Sequence, residues 1–421
     1  MKDQKLLSPM AVYLLGINSI IGSGIFLLAG KIYQEAGVWS LLAILFAGLS
    51  IFVIAFSYAN MSKLYAENGG AFVYAKALFG RFPGFIVGMV TWILGTVTLA
   101  TEVSALLTAL KMIFPHLEVK AIGIALILLL GVVSYFGSSL ISGLDNVTSF
   151  VKIVIVFIFI VVGVVLISGR HFEFPSVLTE KTIHFHGFLS AYGTVFFFFT
   201  GFSFLPVNAE KMKNPARNLP KMMSLVMVTC ITVYLIIQGL TIGILGNHLP
   251  KTIVPAATIF SQVVGSIGIP LFIVGICISI FGVIVATTFN TPTILASLAI
   301  AHEDVPLFVA KNNRFGTPTV AVVLTTAGAI LLFLSGNYVF LSGLTVFMSF
   351  VQYLSTGLAN IKKKFFLIGA GSVLFSLVLL TSFTGPILIL GFSILIVLAL
   401  IYWLIKKDQG LKKTRMKTHK K

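Results

Sequence analysis

Residues 20 to 26 read Ile-Ile-Gly-Ser-Gly-Ile-Phe, in the middle of the first apolar segment of a 421-residue chain. Glycine weakens helical backbone, so Gly22-Ser23-Gly24 interrupts a segment that would otherwise form one continuous helix. A second interruption, Thr200-Gly201 followed by Pro206, lies about equally far into the sixth apolar segment. The pattern therefore predicts two helices that are broken near their middles, five helices apart in chain order.

The composition predicts a membrane protein. Hydrophobic residues make up 58% of the chain and charged residues only 10%, against about a quarter charged in soluble domains. A net charge of +17 would suggest nucleic acid as a partner, but the basic residues lie between apolar segments, where membrane topology explains them. Cys230 and Cys277 lie in apolar runs and are expected to be free thiols. The spacing of Cys and His predicts no metal site, and no cofactor is expected.

Twelve segments are apolar over roughly the 20 residues that a helix needs to cross a bilayer. A stretch from 251 to 265 is amphipathic and predicts an external re-entrant or surface helix. The twelve predicted spans are 9–30, 38–60, 83–113, 119–137, 145–168, 187–208, 222–246, 268–301, 318–334, 337–357, 365–383 and 385–405.

Basic residues predict the orientation of these spans. With the N-terminus inside the cell, 22 Lys and Arg fall in cytoplasmic segments and 6 at external loops. Cytoplasmic loops carry the excess of Lys and Arg, so both termini are expected in the cytoplasm. Residues 1–421 are interpreted as one transmembrane domain of the cell membrane, ending in a basic tail over 406–421. The sequence predicts no oligomeric state.

The two broken helices predict a binding site. Irregular backbone at membrane depth is tolerated where it lines a cavity or is buried in protein. Free N–H groups at the start of a helix suit a carboxylate, and free carbonyls suit an ammonium, so the pair suits an α-amino acid. The predicted substrate-binding residues are Ser23 and Gly24, through their amides, for the carboxylate, the carbonyls of Ile20, Ile21, Phe199 and Thr200 for the amine, Phe198 and Phe202 for the side-chain pocket, and Gly22, Gly201 and Ser203 at the two breaks.

Several motifs together resemble the amino acid–polyamine–organocation (APC) transporters. The first is the Ile21–Phe26 stretch, which is similar to the first-helix signature of that family. The others are Gly69-Gly70-Ala71-Phe72-Val73-Tyr74, Gly201-Phe202, Ala209-Glu210-Lys211-Met212-Lys213-Asn214-Pro215, Arg217-Asn218, Pro220, Pro306 and Gly316-Thr317-Pro318.

This resemblance implies a leucine-transporter-like fold. Two inverted repeats of five helices, over 9–168 and 187–357, would be followed by two trailing helices over 365–405. It also implies amino acid transport by alternating access. Ser203 stands where many members carry an acid after Gly-Phe, and Asn60-Met61 where many have Glu-Leu. The first departure favours a neutral amino acid as the substrate.

Two ionisable residues lie inside predicted spans, and such residues are functional candidates. Lys152 matches a fifth-helix lysine of a proton-coupled branch of the family, which implies no sodium requirement and a role in proton coupling. The alternative is that Lys152 extends to the cytoplasmic interface. Glu102 in the third span is interpreted as a proton carrier, a gate residue or a structural group. By analogy, the hydroxyls of Thr287 and Thr288 would meet Lys152.

Four functions remain open at the level of sequence. Proton-coupled symport of amino acids is the first hypothesis, and exchange or export by an antiporter is the second. The third is a membrane enzyme, against which stands the absence of a Ser/His/Asp, HExxH or paired-carboxylate set in the spans. The fourth is a nutrient sensor that binds an amino acid without transporting it. The predicted partners are an amino acid, protons and the lipid bilayer.

Overall fold

The structure is a computed structural model that describes residues 8–65, 70–137, 141–169, 185–207, 212–302 and 304–418. Helices account for most of these residues, and no strand forms among them. The seventeen α-helices within the described ranges are α1 (Pro9–Ile20), α2 (Gly24–Leu27), α3 (Ala29–Ala36), α4 (Ser40–Leu64), α5 (Ala71–Phe79), α6 (Arg81–Leu110), α7 (Val119–Tyr135), α8 (Ile141–Gly169), α9 (Phe185–Phe198), α10 (Phe204–Val207), α11 (Pro215–Leu245), α12 (Pro255–Val264), α13 (Gly268–Ala301), α14 (Thr319–Ser335), α15 (Tyr338–Lys362), α16 (Phe366–Leu380) and α17 (Gly385–Thr418).

Each predicted span coincides with one helix or with a broken pair. The first corresponds to α1 and α2, and the sixth to α9 and α10. In the described part of the chain, 7 helical segments are long and apolar enough to cross a membrane. Apolar helices such as α7 and α14 have 17 residues each, which at 1.5 Å per residue is about 25 Å. The chain is thus an all-helical protein with several helices suited to a bilayer.

Three regions differ from the predicted pattern or refine it. The segment 61–82, which connects the second and third predicted spans, contains the nine-residue helix α5. This helix begins after Gly70, which has a φ of 55°. Within the predicted basic tail over 406–421, residues 406–418 belong to α17, which continues to Thr418. The amphipathic stretch 251–265 does form a helix, α12, whose buried face includes Ile259 and Phe260.

The helices of the two halves pack in a repeating pattern. Helices α4, α6 and α7 pack against α11, α13 and α14 respectively, which follow five predicted spans later. Four further contacts form two matched pairs: α1 with α11 and α9 with α4, then α6 with α15 and α13 with α8. Small residues permit the closest of these crossings. A Cβ on Gly95 of α6 would lie 2.3 Å from the Thr291 hydroxyl of α13.

A buried polar cluster joins α5, α6 and α13 at one end of the bundle. Asp304, only 3% exposed, accepts a hydrogen bond from the Arg81 Nη2 atom at 3.1 Å. The His302 ring lies between them, with Nδ1 3.1 Å from the Asp304 Oδ2 atom and Nε2 2.8 Å from the Arg81 carbonyl. The Lys76 ammonium donates to the Ala301 carbonyl at the end of α13. The cluster therefore fixes the start of α6 against the end of α13.

We expect Asp304→Ala to destabilise the protein, because it removes the buried carboxylate that accepts a hydrogen bond from Arg81. The loss should be about 1.5–3 kcal/mol, the usual contribution of a hydrogen bond to a charged group. Thermal unfolding of the purified protein in detergent measures it. The control is Glu118→Ala, which removes an exposed carboxylate before α7. Equal unfolding midpoints for the two variants would show that the cluster contributes no stability.

Candidate functional site

The first helix is broken where the glycines predict. α1 ends at Ile20, and the Ile21 amide donates the last bond to the Ile17 carbonyl. A new helix, α2, starts at Gly24 after two bent residues. The first amides of a helix have no acceptor within it, so those around Ser23 must find partners elsewhere. Ser23 is fully buried, which places this demand inside the protein.

The sixth helix is broken in the same way. α9 ends at Phe198, residues 199–203 form turns, and α10 starts at Phe204. Gly201 has a φ of 111°, a conformation that favours glycine. A Cβ on Gly201 would lie only 2.1 Å from the Ser19 carbonyl oxygen. The second break therefore touches the last turn of α1 through backbone atoms, and only glycine permits the contact.

Glu102 of α6 lies against the first break. Its Oε1 atom is 2.9 Å from the position that a Gly22 Cβ would take, and its carboxyl lies close to the Ser23 amide and hydroxyl. The Ser23 hydroxyl also lies 2.9 Å from the hydroxyl of Tyr338, at the start of α15. The Glu102 Oε2 atom is buried and makes no hydrogen bond within the described residues. A carboxyl group thus lies where the sequence predicts a substrate carboxylate.

Tyr234 of α11 bridges the two broken helices. Its hydroxyl lies 2.7 Å from the Phe198 carbonyl, to which it donates, and 3.3 Å from the Ile20 carbonyl. The rings of Phe198 and Phe199 pack against the Tyr234 ring, with centroid distances of 5.8 Å and 5.0 Å. One hydroxyl therefore reaches the ends of both α1 and α9, beside the carbonyls predicted to take an amine.

Lys152 of α8 binds the end of α1. Its ammonium donates to the carbonyl and to the side-chain oxygen of Asn18, each at 2.8 Å. The side chain is 0% exposed, so the alternative that it extends to the membrane interface does not hold. Thr287 and Thr288, predicted by analogy to meet it, donate their hydroxyl protons to carbonyls of their own helix.

Aromatic side chains pack against both sides of the second break. Phe198 lies beside Gly24, whose Cβ would be 2.6 Å from its ring. Phe202 stacks on Tyr353 of α15 at 5.5 Å and meets the edge of Tyr58 of α4 at 5.4 Å. Both phenylalanines are buried, so the two rings predicted to form a pocket are part of a packed aromatic layer.

The structure brings the predicted residues of both breaks together, with Lys152 bonded to Asn18 near the end of α1 and Glu102 against Gly22. Ser203 lies buried beside Phe202 in the turn before α10. Sequence reasoning missed Asn18, Tyr234 and Tyr338, whose polar atoms inside apolar segments were the available signal. Residues Ala209, Glu210 and Lys211 of the motif that follows the sixth predicted span lie outside the described residues.

These features define a class of protein: a helical membrane protein with two discontinuous helices that meet at a buried, polar site, as in secondary transporters. The comparison with known families agrees. The profile described as amino acid permease matches residues 7–417. The chain belongs to the amino acid permease family, within the APC superfamily, and is a transporter, not an enzyme. The resemblance drawn from its motifs is thereby confirmed.

Relatives with assigned activities are amino acid carriers. The chain is 28% identical to the serine/threonine exchanger SteT of Bacillus subtilis, over 80% of this chain and 78% of that protein. It is 29% identical to an arginine/ornithine antiporter of Latilactobacillus sakei, over 79% of this chain and 72% of the antiporter. An uncharacterised transporter of Mycobacterium tuberculosis is 27% identical, over 83% and 78% of the two chains.

Proposed function

We propose that the chain imports neutral amino acids across the cell membrane by alternating access, in symport with protons. The substrate carboxylate would bind at the Ser23 and Gly24 amides. The ammonium would bind at the carbonyls of Ile20 and Ile21 at the first break and of Phe199 and Thr200 at the second break. Ser203, in place of an acid, supports a neutral substrate, because it leaves no fixed charge after Phe202.

The paired helix contacts support the finer architecture. We propose twelve spans with both termini in the cytoplasm and two inverted repeats, over 9–168 and 187–357. A repeat of five spans requires that a contact between two spans recurs five spans later, with the halves exchanged. The contacts of α1 with α11 and of α9 with α4 form one such pair. The two trailing helices correspond to α16 and α17.

The observation that carries the proton-coupling proposal is the bond between Lys152 and α1. A buried ammonium is costly unless it is hydrogen-bonded, and here it donates to the carbonyl and to the side-chain oxygen of Asn18, two residues before the end of α1. Movement of α1 during the cycle would separate these groups. A buried ammonium that loses hydrogen-bond acceptors in one state of the cycle is destabilised in its charged form, and this favours release of its proton in that state.

Glu102 is the second group that we propose for coupling. Its Oε1 side faces Gly22, while the buried Oε2 atom has no hydrogen-bond donor in the described part of the chain. Protonation at this oxygen would neutralise a buried carboxylate that lacks a donor there. Because the same carboxyl lies against Gly22 and Ser23, protonation would change how firmly it holds the first break.

Flux measurements test the proposal. Purified protein in liposomes, supplied with labelled neutral amino acids, should accumulate them when the outside is more acidic than the inside. Dissipating the pH gradient with a protonophore should end accumulation. Binding without flux would indicate a sensor. Flux that ignores the gradient and requires internal amino acid would indicate exchange, which the names of the two bacterial relatives favour as the second candidate.

Competition between amino acids tests the substrate class. We expect an excess of serine, threonine, alanine or leucine to inhibit labelled uptake more strongly than lysine or glutamate. The reason is that an extra charge on the substrate would have to be buried beside Phe198 and Phe202 without a partner. Stronger inhibition by lysine or glutamate would reject a neutral substrate.

A further inference from the structure

The polar groups freed by the two helix breaks are bonded to side chains from outside the broken helices. At the first break, the carboxyl of Glu102, which belongs to α6, lies against Gly22 and close to the Ser23 amide and hydroxyl, with Oε1 2.9 Å from the position that a Gly22 Cβ would take. Between the two breaks, the Ile20 and Phe198 carbonyls face the hydroxyl of Tyr234, which belongs to α11. Each bonding group is therefore held by a continuous helix and not by a moving end.

The chemistry of these two side chains matches the two ends of a zwitterion. The carboxylate group of Glu102 lies beside the donors at Ser23, as a substrate carboxylate would. The hydroxyl of Tyr234 supplies a proton to a pair of carbonyls, as a substrate ammonium would. Tyr234 and Glu102 are both buried and lie near enough to interact electrostatically. The same arrangement of acceptor and donor is thus built into the chain itself.

This arrangement affects the return of the empty carrier, a step that a net transporter performs and an obligatory exchanger does not. A carrier that changes sides without substrate must bury the polar groups of its broken helices, and buried groups without partners cost free energy. An amino acid removes that cost in an exchanger. Here Glu102 and Tyr234 remove it for Ser23 at one break and for Ile20 and Phe198 at the ends of α1 and α9.

We infer that Glu102 and Tyr234 act as built-in surrogates for the substrate carboxylate and ammonium, and that they let the carrier return without an amino acid. The inference rests on the proposed function of transport. It assigns to the chain net transport in place of obligatory exchange. Tyr234 is in this sense a positioning residue of the return step, since it holds the ends of α1 and α9 together.

The test compares net uptake with exchange in the same proteoliposomes. A carbon-14-labelled mixture of proteinogenic L-amino acids is supplied outside. The liposomes contain either buffer, which reports net uptake, or the unlabelled mixture, which reports exchange. Wild-type protein should show both. Tyr234→Phe removes one buried donor, and the ratio of net uptake to exchange should fall about tenfold.

Tyr192→Phe is the matched control. It removes a buried tyrosine hydroxyl whose hydrogen bond joins α9 to Ser50 of α4, away from the breaks. Its ratio of net uptake to exchange should stay at the wild-type value. A parallel loss of both rates in Tyr234→Phe, with an unchanged ratio, would overturn the inference, because it would show a structural effect alone.

The wild-type protein provides an independent check that does not depend on any variant folding. Exchange without net uptake would overturn the inference and leave the transport function intact. Absence of both fluxes would instead reject the proposed function. Both fluxes in the wild type, together with a lowered ratio in Tyr234→Phe but not in Tyr192→Phe, would establish the surrogate role.

Discussion

Replacing Lys152 with alanine is expected to abolish proton-driven uptake, with a loss of at least about tenfold. The ammonium of Lys152 makes two hydrogen bonds to Asn18 near the end of α1, each 2.8 Å long. Removing a buried charged donor leaves both acceptors without it and costs about 1–3 kcal/mol at this contact alone. Initial uptake rates in liposomes, measured across a series of imposed pH gradients, provide the readout.

A second substitution at this position separates the effect of charge from that of side-chain volume, and a substitution elsewhere is the control. Lys152→Met keeps most of the side-chain volume and should also lose the response to the gradient, whereas a packing effect alone would leave it intact. Lys120→Ala, at an exposed lysine near the start of α7, should behave as the wild type. An unchanged pH dependence of uptake in Lys152→Ala would remove Lys152 from the coupling mechanism.

Replacing Gly201 with alanine is expected to abolish amino acid binding and transport together. Gly201 has a φ of 111°, and a Cβ would lie 2.1 Å from the Ser19 carbonyl oxygen. A backbone atom cannot move aside as a flexible side chain does, so the turn at Gly201 must move away from the end of α1. The strain at positive φ adds about 1 kcal/mol or more. Binding is measured as the shift of the unfolding midpoint on adding the amino acids, which raise apparent stability only where they bind.

Gly239→Ala is the control for this substitution. Gly239 lies within α11, and no atom lies within 4 Å of the position that its Cβ would take. Alanine favours a helix over glycine by roughly 1 kcal/mol, so this variant should keep full binding and stability. If Gly201→Ala bound amino acids as well as Gly239→Ala, the close contact of the two breaks would have no role in the site.

The helices and their breaks were predictable because they depend on local chemistry. Apolar length predicts the spans, and Gly22 and Gly201 mark the unwound segments that the structure contains. The short helix α5 was not predicted, because its nine residues stand between two longer apolar helices and do not form a span. Family membership followed from several weak motifs in combination, and the match over residues 7–417 bears it out.

The partners of the breaks were not predictable, because they come from distant parts of the chain. Tyr234 meets Ile20 across 214 positions, and Tyr338 meets Ser23 across 315. Nothing local distinguishes Tyr234 from a tyrosine buried for packing. Lys152 was a candidate on its charge and on its match to a fifth-helix lysine of the family, but the sequence left open whether it reached the interface. Its burial against Asn18 follows from how α8 packs on α1.

The most direct measurement is a cryo-electron microscopy structure of the protein in lipid, with the amino acid that stabilises it most against heating. The expected density is a single amino acid between two discontinuous helices, with its carboxylate at the Ser23 and Gly24 amides and its ammonium at the helix-end carbonyls. Helices that run unbroken through residues 21–23 and 199–203, or an amino acid bound elsewhere, would contradict the proposed site.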